Sequence, residues 1–411
     1  RRAVGQLSRS GVDLEDRARQ YEVLNLRQQH SRTPYPHQQE ALDAWQAAER
    51  RGIVVLPTGA GKSYVAEMAI LSVQRSTLVV VPTLDLMAQW ARTLEQAFGI
   101  SVGMVGGGEH RVEDITITTY DSAYRHMDRL GNRFGFIVFD EVHHLPGATY
   151  LQAASLSIAP YRLGLTATLE RTDGAHDELS ALLGSVVYRQ SVSNLRGEYL
   201  SEYDVHRIEV HLSDEERQLY EESREQYLAF LDKHNIRMGG PNGWRKFLQA
   251  TNRSAEGRMA LKAYRKQRQV AMASASKLDC LADIFAQHST EPCIFFAHDN
   301  RTVYEVSTRF LVPVITHETP ASQRQHLLDG LATGQYRVLG TSRVLNEGVD
   351  MPDVSVGIVL SGTGSVREHV QRLGRILRRK QGKRATLYEL VTHNTIEPHT
   401  SRRRRAHEAY R

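Results

Sequence analysis

Only two cysteines occur in the 411 residues, Cys280 and Cys293, and they form no CxxC pair. Thiolate-ligated zinc and iron–sulfur centres need such pairs, so both classes are disfavoured and a reducing cytoplasm is the expected compartment. No run of eighteen or more apolar residues is present, which predicts no membrane-spanning helix. No secretory leader pattern is read before the folded pattern begins, and the chain opens on Arg1 rather than methionine. A large charge imbalance is also missing. The 52 Lys and Arg against 47 Asp and Glu leave a formal net charge of +5, a mild excess that suits a polyanionic partner without requiring one. What remains is an ordinary globular composition, 41% hydrophobic and 24% charged, in a chain long enough for two to three domains.

The most informative stretch is Val54-Val55-Leu56-Pro57-Thr58-Gly59-Ala60-Gly61-Lys62-Ser63. An apolar run stops at a Pro-Thr-Gly turn, and a helical pattern opens after the serine. Strand, glycine loop and helix in that order are the context of a phosphate-binding loop. Thr58, Gly59, Gly61, Lys62 and Ser63 are the candidate nucleotide contacts. The glycines let backbone N–H groups face phosphates, and the helix N-terminus adds its positive dipole end. Lys62 supplies a point charge for the β- and γ-phosphates, and Ser63 a ligand for magnesium. The general pattern begins with glycine where this chain has Leu56, so at this point a strand–turn–helix connection without a ligand stays open.

From Ile53, short β-branched runs alternate with helical segments, at 53–56, 77–81, 115–118, 136–139 and 163–165. That alternation predicts a parallel sheet covered on both faces. The rhythm breaks near 205. Ser213 with Glu216 forms a capping box heading a helix to about Lys233. After a glycine-rich turn, a second helical stretch from Trp244 carries Arg245, Lys246, Arg253, Arg258, Lys262, Arg265, Lys266 and Arg268 against the single acid Glu256. Two helices and a turn predict a protruding hairpin, its basic face either solvated or laid on a polyanion. The α/β rhythm restarts at 293–296, 312–315, 337–340, 356–360 and 386–391, without a glycine loop of its own, and Arg402–Arg405 close a basic tail. Residues 1–30 are polar with loose helical spacing at Leu14, Ala18, Tyr21 and Leu24. The expected division is a linker or partial helix over 1–30, a first α/β domain over 31–204, a helical insertion over 205–275, a second α/β domain over 276–395 and a tail over 396–411.

A second chemical signal is Ile137-Val138-Phe139-Asp140-Glu141-Val142-His143-His144. Four apolar residues deliver two carboxylates to a strand end, where ligands of parallel sheets bind. Asp140 would hold magnesium and Glu141 would orient or deprotonate a water. A zinc reading of His143-His144 fails because adjacent side chains diverge and no second pair exists. Gly164-Leu165-Thr166-Ala167-Thr168 ends another strand with two hydroxyls. In the second domain, Gln371, Arg375 and Arg378 share one helix face at spacings of four and three. Cations facing a γ-phosphate from another domain make an arginine-finger arrangement. The stretch from Gly340 to Pro352, which contains Asp350, has the glycines for close backbone approach.

In this order the motifs resemble those of superfamily 2 nucleic-acid helicases with two RecA-like domains, over about residues 31 to 400. More closely the chain resembles the XPB family, DNA-repair helicases of archaeal and bacterial type. Thr119-Tyr120-Asp121-Ser122-Ala123-Tyr124, the box from Phe139 to Leu145, Leu163–Thr168, the helical insertion near 213–270 and Ser361-Gly362-Thr363-Gly364-Ser365 carry that likeness. The resemblance implies an α/β fold of two RecA-like parallel-sheet domains in tandem with a thumb-like helical insertion. It implies ATP and Mg2+ as cofactors, 3′-to-5′ movement along DNA with duplex opening, and a role in DNA repair. Gln38 matches the glutamine that reads adenine, and Asp350 falls among the nucleotide contacts. The thumb, with Arg258, Lys262, Arg265 and Lys266, would grip DNA. Arg171 and Asp173 would also meet DNA, but Arg171-Thr172-Asp173 stands where the family has Arg-Glu-Asp, which keeps open a duplex translocase without fork opening. An RNA helicase and a DNA-binding scaffold recruiting a nuclease are the other readings. The family's N-terminal damage-recognition domain has no counterpart in residues 1–30. A prokaryotic cytoplasmic, nucleoid-associated monomer acting on DNA, with a nuclease partner and no membrane, completes the expectation.

Overall fold

The structure is a computed structural model, and it describes residues 10–11, 19–30, 32–145, 148–167, 176–195, 202–239, 242–252, 254–342, 354–362 and 384–404. The first sheet is built from β1 (Arg51–Val55), β2 (Thr77–Val81), β3 (Gly103–Gly106), β4 (Glu109–Arg111), β5 (Ile115–Thr119), β6 (Phe136–Phe139), β7 (Tyr161–Thr166) and β8 (Val186–Arg189). Their order is β4-β3-β5-β2-β6-β7-β1-β8. Every pairing is parallel except the β3–β4 hairpin at the edge. Side chains of a strand alternate between faces. Val54, Val79 and Val138 therefore share one core with α1 (Pro36–Ala47), α2 (Lys62–Val73) and α3 (Leu84–Phe98). Ile53, Val80, Ile137 and Phe139 share the other with α4 (Tyr120–Leu130) and α6 (His176–Leu183), which follows α5 (Ala148–Leu156). Burial on both faces is why these strands read as continuous apolar runs.

Helix α3 shows how local sequence sets an element. Thr83 caps it by accepting the Leu86 N–H at 3.2 Å, and Gly99, at φ +67°, ends it. Met87, Trp90, Ala91, Leu94 and Phe98 recur at helical spacing and are all buried. Upstream, the helical spacing in residues 1–30 does not become a helix in the described part. Residues 19–30 instead run extended along the first domain. Val23 bridges Arg75, and the Gln74 side-chain amide holds both the N–H and the C=O of Leu26, at 2.7 and 3.0 Å. Those bonds satisfy the backbone groups that a helix would otherwise pair.

The second sheet contains β9 (Glu202–Val210), β10 (Cys293–Phe296), β11 (Val314–Ile315), β12 (Val338–Thr341), β13 (Val356–Val359) and β14 (Arg384–Thr392), ordered β11-β12-β10-β13-β14-β9 and parallel throughout. The boundary expected between 204 and 205 falls inside β9. Its nine-residue register with β14, from Glu202↔Arg384 to Val210↔Thr392, assigns the whole strand to the second sheet. The helical segment is thus an insertion within the second domain, between β9 and β10. It consists of α7 (Asp214–Lys233), α8 (Gly243–Thr251) and α9 (Ala255–Ala273). The expected single second helix is two, because Ser254 caps a new start by accepting the Gly257 N–H at 2.9 Å. Tyr227, Phe230 and Phe247 fill its own small core. α10 (Ala275–Gln287), α11 (Asn300–Phe310), α12 (Ala321–Ala332) and α13 (Glu397–Arg404) complete the second domain.

The two domains touch. One apolar cluster contains residues of both, and Arg324 of α12 reaches Asp85 in the first turn of α3, Nη1 to Oδ2, at 2.7 Å. Among the described residues no helix is long and apolar enough to cross a membrane.

Candidate active site

Three neighbouring strand ends converge. β1 leads into the glycine loop, β6 into Asp140 and Glu141, and β7, between them, into Thr166. The Leu56 N–H donates to the Thr166 carbonyl at 3.0 Å, so the ladder runs one residue past β1 before the chain turns. Leu56 is fully buried, and its place at the end of this ladder is one where an apolar side chain is needed. Gly59 and Gly61 have φ +89° and +83°, a region that residues with a Cβ enter at a cost. The loop is braced from α1: His37 Nε2 lies 2.9 Å from the Ala60 carbonyl and Gln38 Nε2 donates to the same oxygen at 3.0 Å. Gln38 Oε1 in turn accepts the Tyr35 N–H at 3.0 Å. A Cβ added at Gly61 would lie 2.2 Å from Gln38 Nε2. Thr58 Oγ1 is buried inside the loop with no hydrogen-bond partner among the described residues. A buried unpaired hydroxyl is costly, and a phosphate oxygen or a metal-bound water would satisfy it. The loop therefore fits a nucleotide phosphate.

Lys62 Nζ donates to the Leu56 carbonyl at 3.3 Å and lies 3.9 Å from Glu141 Oε1. Asp140 is buried on every side. Its Oδ1 accepts the Glu141 N–H and its Oδ2 accepts the Trp90 indole N–H, each at 2.9 Å. Its carbonyl accepts the Tyr120 hydroxyl at 2.9 Å. Burial pushes the Asp140 carboxyl up to about 6, and the Glu141 charge adds to the rise. Lys62 and the Trp90 hydrogen bond oppose it. A buried carboxylate with an acidic neighbour is a group that a divalent cation stabilises, so Asp140, with Ser63 at the head of α2, fits the magnesium expectation.

Glu141 occupies φ +47°, an uncommon backbone region for a residue with a side chain. Its Oε2 lies 3.3 Å from His143 Nδ1 and 3.5 Å from Thr166 Oγ1, and His143 Nδ1 is 3.0 Å from Thr166 Oγ1. His143 is thus tied to the carboxylate through Nδ1. Among the described residues no group of His, Cys, Asp and Glu is arranged to hold a metal through three or more ligands. Trp90 and His37 carried no signal in the sequence, and Tyr120 lies in a stretch that carries the family likeness but had no role of its own there. Each sits at an apolar or capping position of its helix, and tertiary packing alone turns it toward the site.

Asp350, Gln371, Arg375, Arg378, Arg171 and Asp173, with Thr168, lie outside the described residues. Arg258, Lys262, Arg265 and Lys266 are exposed on α9, and none forms an ion pair among the described residues. Residues 258, 262 and 266 follow at intervals of four, so they line one face. The neighbouring α7 exposes Glu221, Glu222 and Glu225, which makes the insertion acidic on one helix and basic on another.

The profile described as type III restriction enzyme, res subunit matches residues 31–171, and that described as helicase conserved C-terminal domain matches 276–380. The chain is 42% identical over 369 residues to the DNA 3′-5′ translocase XPB2 of Sulfurisphaera tokodaii, covering 90% of this chain and 84% of that protein. The chain belongs to the XPB family. It is also 29% identical to the DNA 3′-5′ helicase XPB of Kineococcus radiotolerans and 28% identical to that of Mycobacterium tuberculosis, spanning 60% and 58% of those longer XPB proteins. The crystal structure of the Pyrococcus furiosus Hef helicase domain superimposes with a TM-score of 0.62 at 18% identity, over 90% of this chain and 97% of that one, a likeness of fold. The chain has two tandem parallel-sheet α/β domains, and the glycine loop and Asp140-Glu141 pair both fall in the first.

Proposed function

We propose that the protein is an ATP-dependent 3′-to-5′ DNA helicase or translocase of the XPB family, with nucleotide held at the 58–63 loop. The observation that carries this is the 3.9 Å approach of Lys62 to Glu141 beside the buried Asp140. A γ-phosphate would compete for Lys62 and free the Glu141 carboxylate to take a proton from the attacking water. Thr166 and His143 hold Glu141 in orientation. Ser63 and Asp140 would hold magnesium, which when bound neutralises charge on the β- and γ-phosphate oxygens. Gln371, Arg375 and Arg378, with Asp350, complete the site from the second domain as proposed contacts, and Gln38 reads the base. The test is DNA-stimulated ATP hydrolysis: Lys62→Ala and Glu141→Gln each lower the rate at least a hundredfold, and a rate near wild type in either overturns the site assignment.

The cations of α9 and Arg171 would contact DNA mainly at phosphates, with Asp173 also meeting the DNA, so binding is weakly sequence-specific and strongly salt-dependent. The chain would serve DNA repair in a prokaryotic cytoplasm, as a monomer when free and with a nuclease as partner. A second reading, duplex translocation without fork opening, is favoured by Thr172 in place of an acid and by the relative named a translocase. Triplex displacement with no fork opening on substrates of either polarity decides for it.

A further inference from the structure

The side chain that holds the candidate metal carboxylate comes from a helix with no part in the nucleotide loop. Trp90 lies midway along α3 with only 2% of its surface exposed, and its Nε1 donates to Asp140 Oδ2 at 2.9 Å. An indole N–H is a donor with no acceptor capacity, so the bond fixes which carboxylate oxygen faces α3. The other oxygen accepts the N–H of Glu141, and the Tyr120 hydroxyl pins the backbone carbonyl. Asp140 is thereby held at three atoms from three directions, and Trp90 supplies the only one of the three restraints that comes from α3. Groups that hydrogen-bond a metal-binding carboxylate set its orientation, and losing one costs about 10- to 100-fold in metal affinity.

We propose that Trp90 is a positioning residue for Asp140, holding the carboxylate in the orientation that receives the divalent cation of a bound nucleotide. The inference rests on the reading of Asp140 as a magnesium-binding residue. A tryptophan serving only as core filler would need some acceptor for its N–H, and any polar partner would do. The assignment to Asp140 predicts an effect confined to the metal.

The experiment compares wild type, Trp90→Phe, a variant with 3-benzothienylalanine at position 90 (the same ring shape with sulfur in place of N–H) and Asp140→Asn. Binding of methylanthraniloyl-ADP is followed by fluorescence, in EDTA and across a magnesium titration. The expected result is unchanged affinity in EDTA for both position-90 variants, with the half-saturating magnesium concentration raised about tenfold. The benzothienylalanine variant keeps the core volume, so it answers even where phenylalanine loosens the packing. An unchanged magnesium midpoint in that variant, while Asp140→Asn moves it, overturns the role of Trp90 alone. Equal loss of affinity with and without magnesium makes Trp90 a packing residue and also overturns the proposal. A midpoint unmoved in Asp140→Asn overturns the reading of Asp140 beneath it.

Discussion

Gly61 bears two constraints at once. Its φ of +83° lies where a Cβ meets the backbone, costing about 1–2 kcal/mol, and that Cβ would fall 2.2 Å from the Gln38 amide. Gln38 cannot swing away freely, because it spans the Tyr35 N–H and the Ala60 carbonyl. Gly61→Ala is therefore expected to weaken ATP binding by at least about tenfold, since each 1.4 kcal/mol is a factor of ten. Titration with a fluorescent ATP analogue checks it, and wild-type affinity would show that the loop tolerates the side chain. At this scale the local half of the site was legible. Glycines, lysine and serine lie within six residues, and a strand that ends in Asp-Glu is read directly. Trp90 and Tyr120 were not legible, because their contact with Asp140 exists only once α3 and α4 are laid on opposite faces of the sheet. Before that, Trp90 is one more apolar residue at helical spacing, and Tyr120 is one residue of a family stretch with no role of its own.

The inserted helices form an element whose root and tip answer to different physics. At the root, Lys277 Nζ and Glu397 Oε2 pair at 2.6 Å with both side chains fully buried, tying α10 to the start of α13. The same oxygen accepts the Thr392 N–H at 2.8 Å. Removing one partner of such a pair strands a charge and costs about 3–5 kcal/mol, whereas replacing both with apolar groups is nearly neutral. Lys277→Met should lower unfolding stability by that amount in urea, and the double variant Lys277→Met with Glu397→Leu should recover part of it, the Thr392 N–H being left without its acceptor. A single variant as stable as wild type would refute the pairing. At the tip, α9 presents Arg258, Lys262, Arg265 and Lys266 to solvent. If they lie on phosphates, changing all four to Ala reduces the slope of log affinity against log salt by up to about 3.6, at about 0.9 per contact. An unchanged slope returns that face to plain solvated surface. The helix with its capping box was legible from Ser213 and Glu216, but the break at 252–254 was not, because Ser254 acts as a cap only once α8 has ended.

At the scale of the whole molecule, the tandem α/β rhythm was legible, since buried parallel strands announce themselves as apolar runs. The membership of β9 was not, because its partner β14 lies beyond the inserted helices and most of the second domain. That pairing makes the insertion ride on the second domain, so any motion between the domains carries the basic face of α9 with it. The contact that sets their relation is partly electrostatic. Arg324 is anchored within its own domain by the Thr319 carbonyl at 2.7 Å and reaches Asp85 across the interface at 2.7 Å, with side chains 18% and 27% exposed. A pair this accessible is weakened by salt, the screening length being about 8 Å at 0.15 M. Arg324→Glu puts two like charges face to face and should shift the domains apart, read as lower energy transfer between dyes placed one on each domain. The shift should be largest at low salt and fade near 1 M. Exchanging the charges, Asp85→Arg with Arg324→Glu, should restore the wild-type distance. Equal energy transfer in wild type and Arg324→Glu at low salt would leave the apolar contact alone as the hinge between the domains. A difference that salt erases makes the ion pair, rather than the apolar contact, the part of the interface that ionic conditions tune.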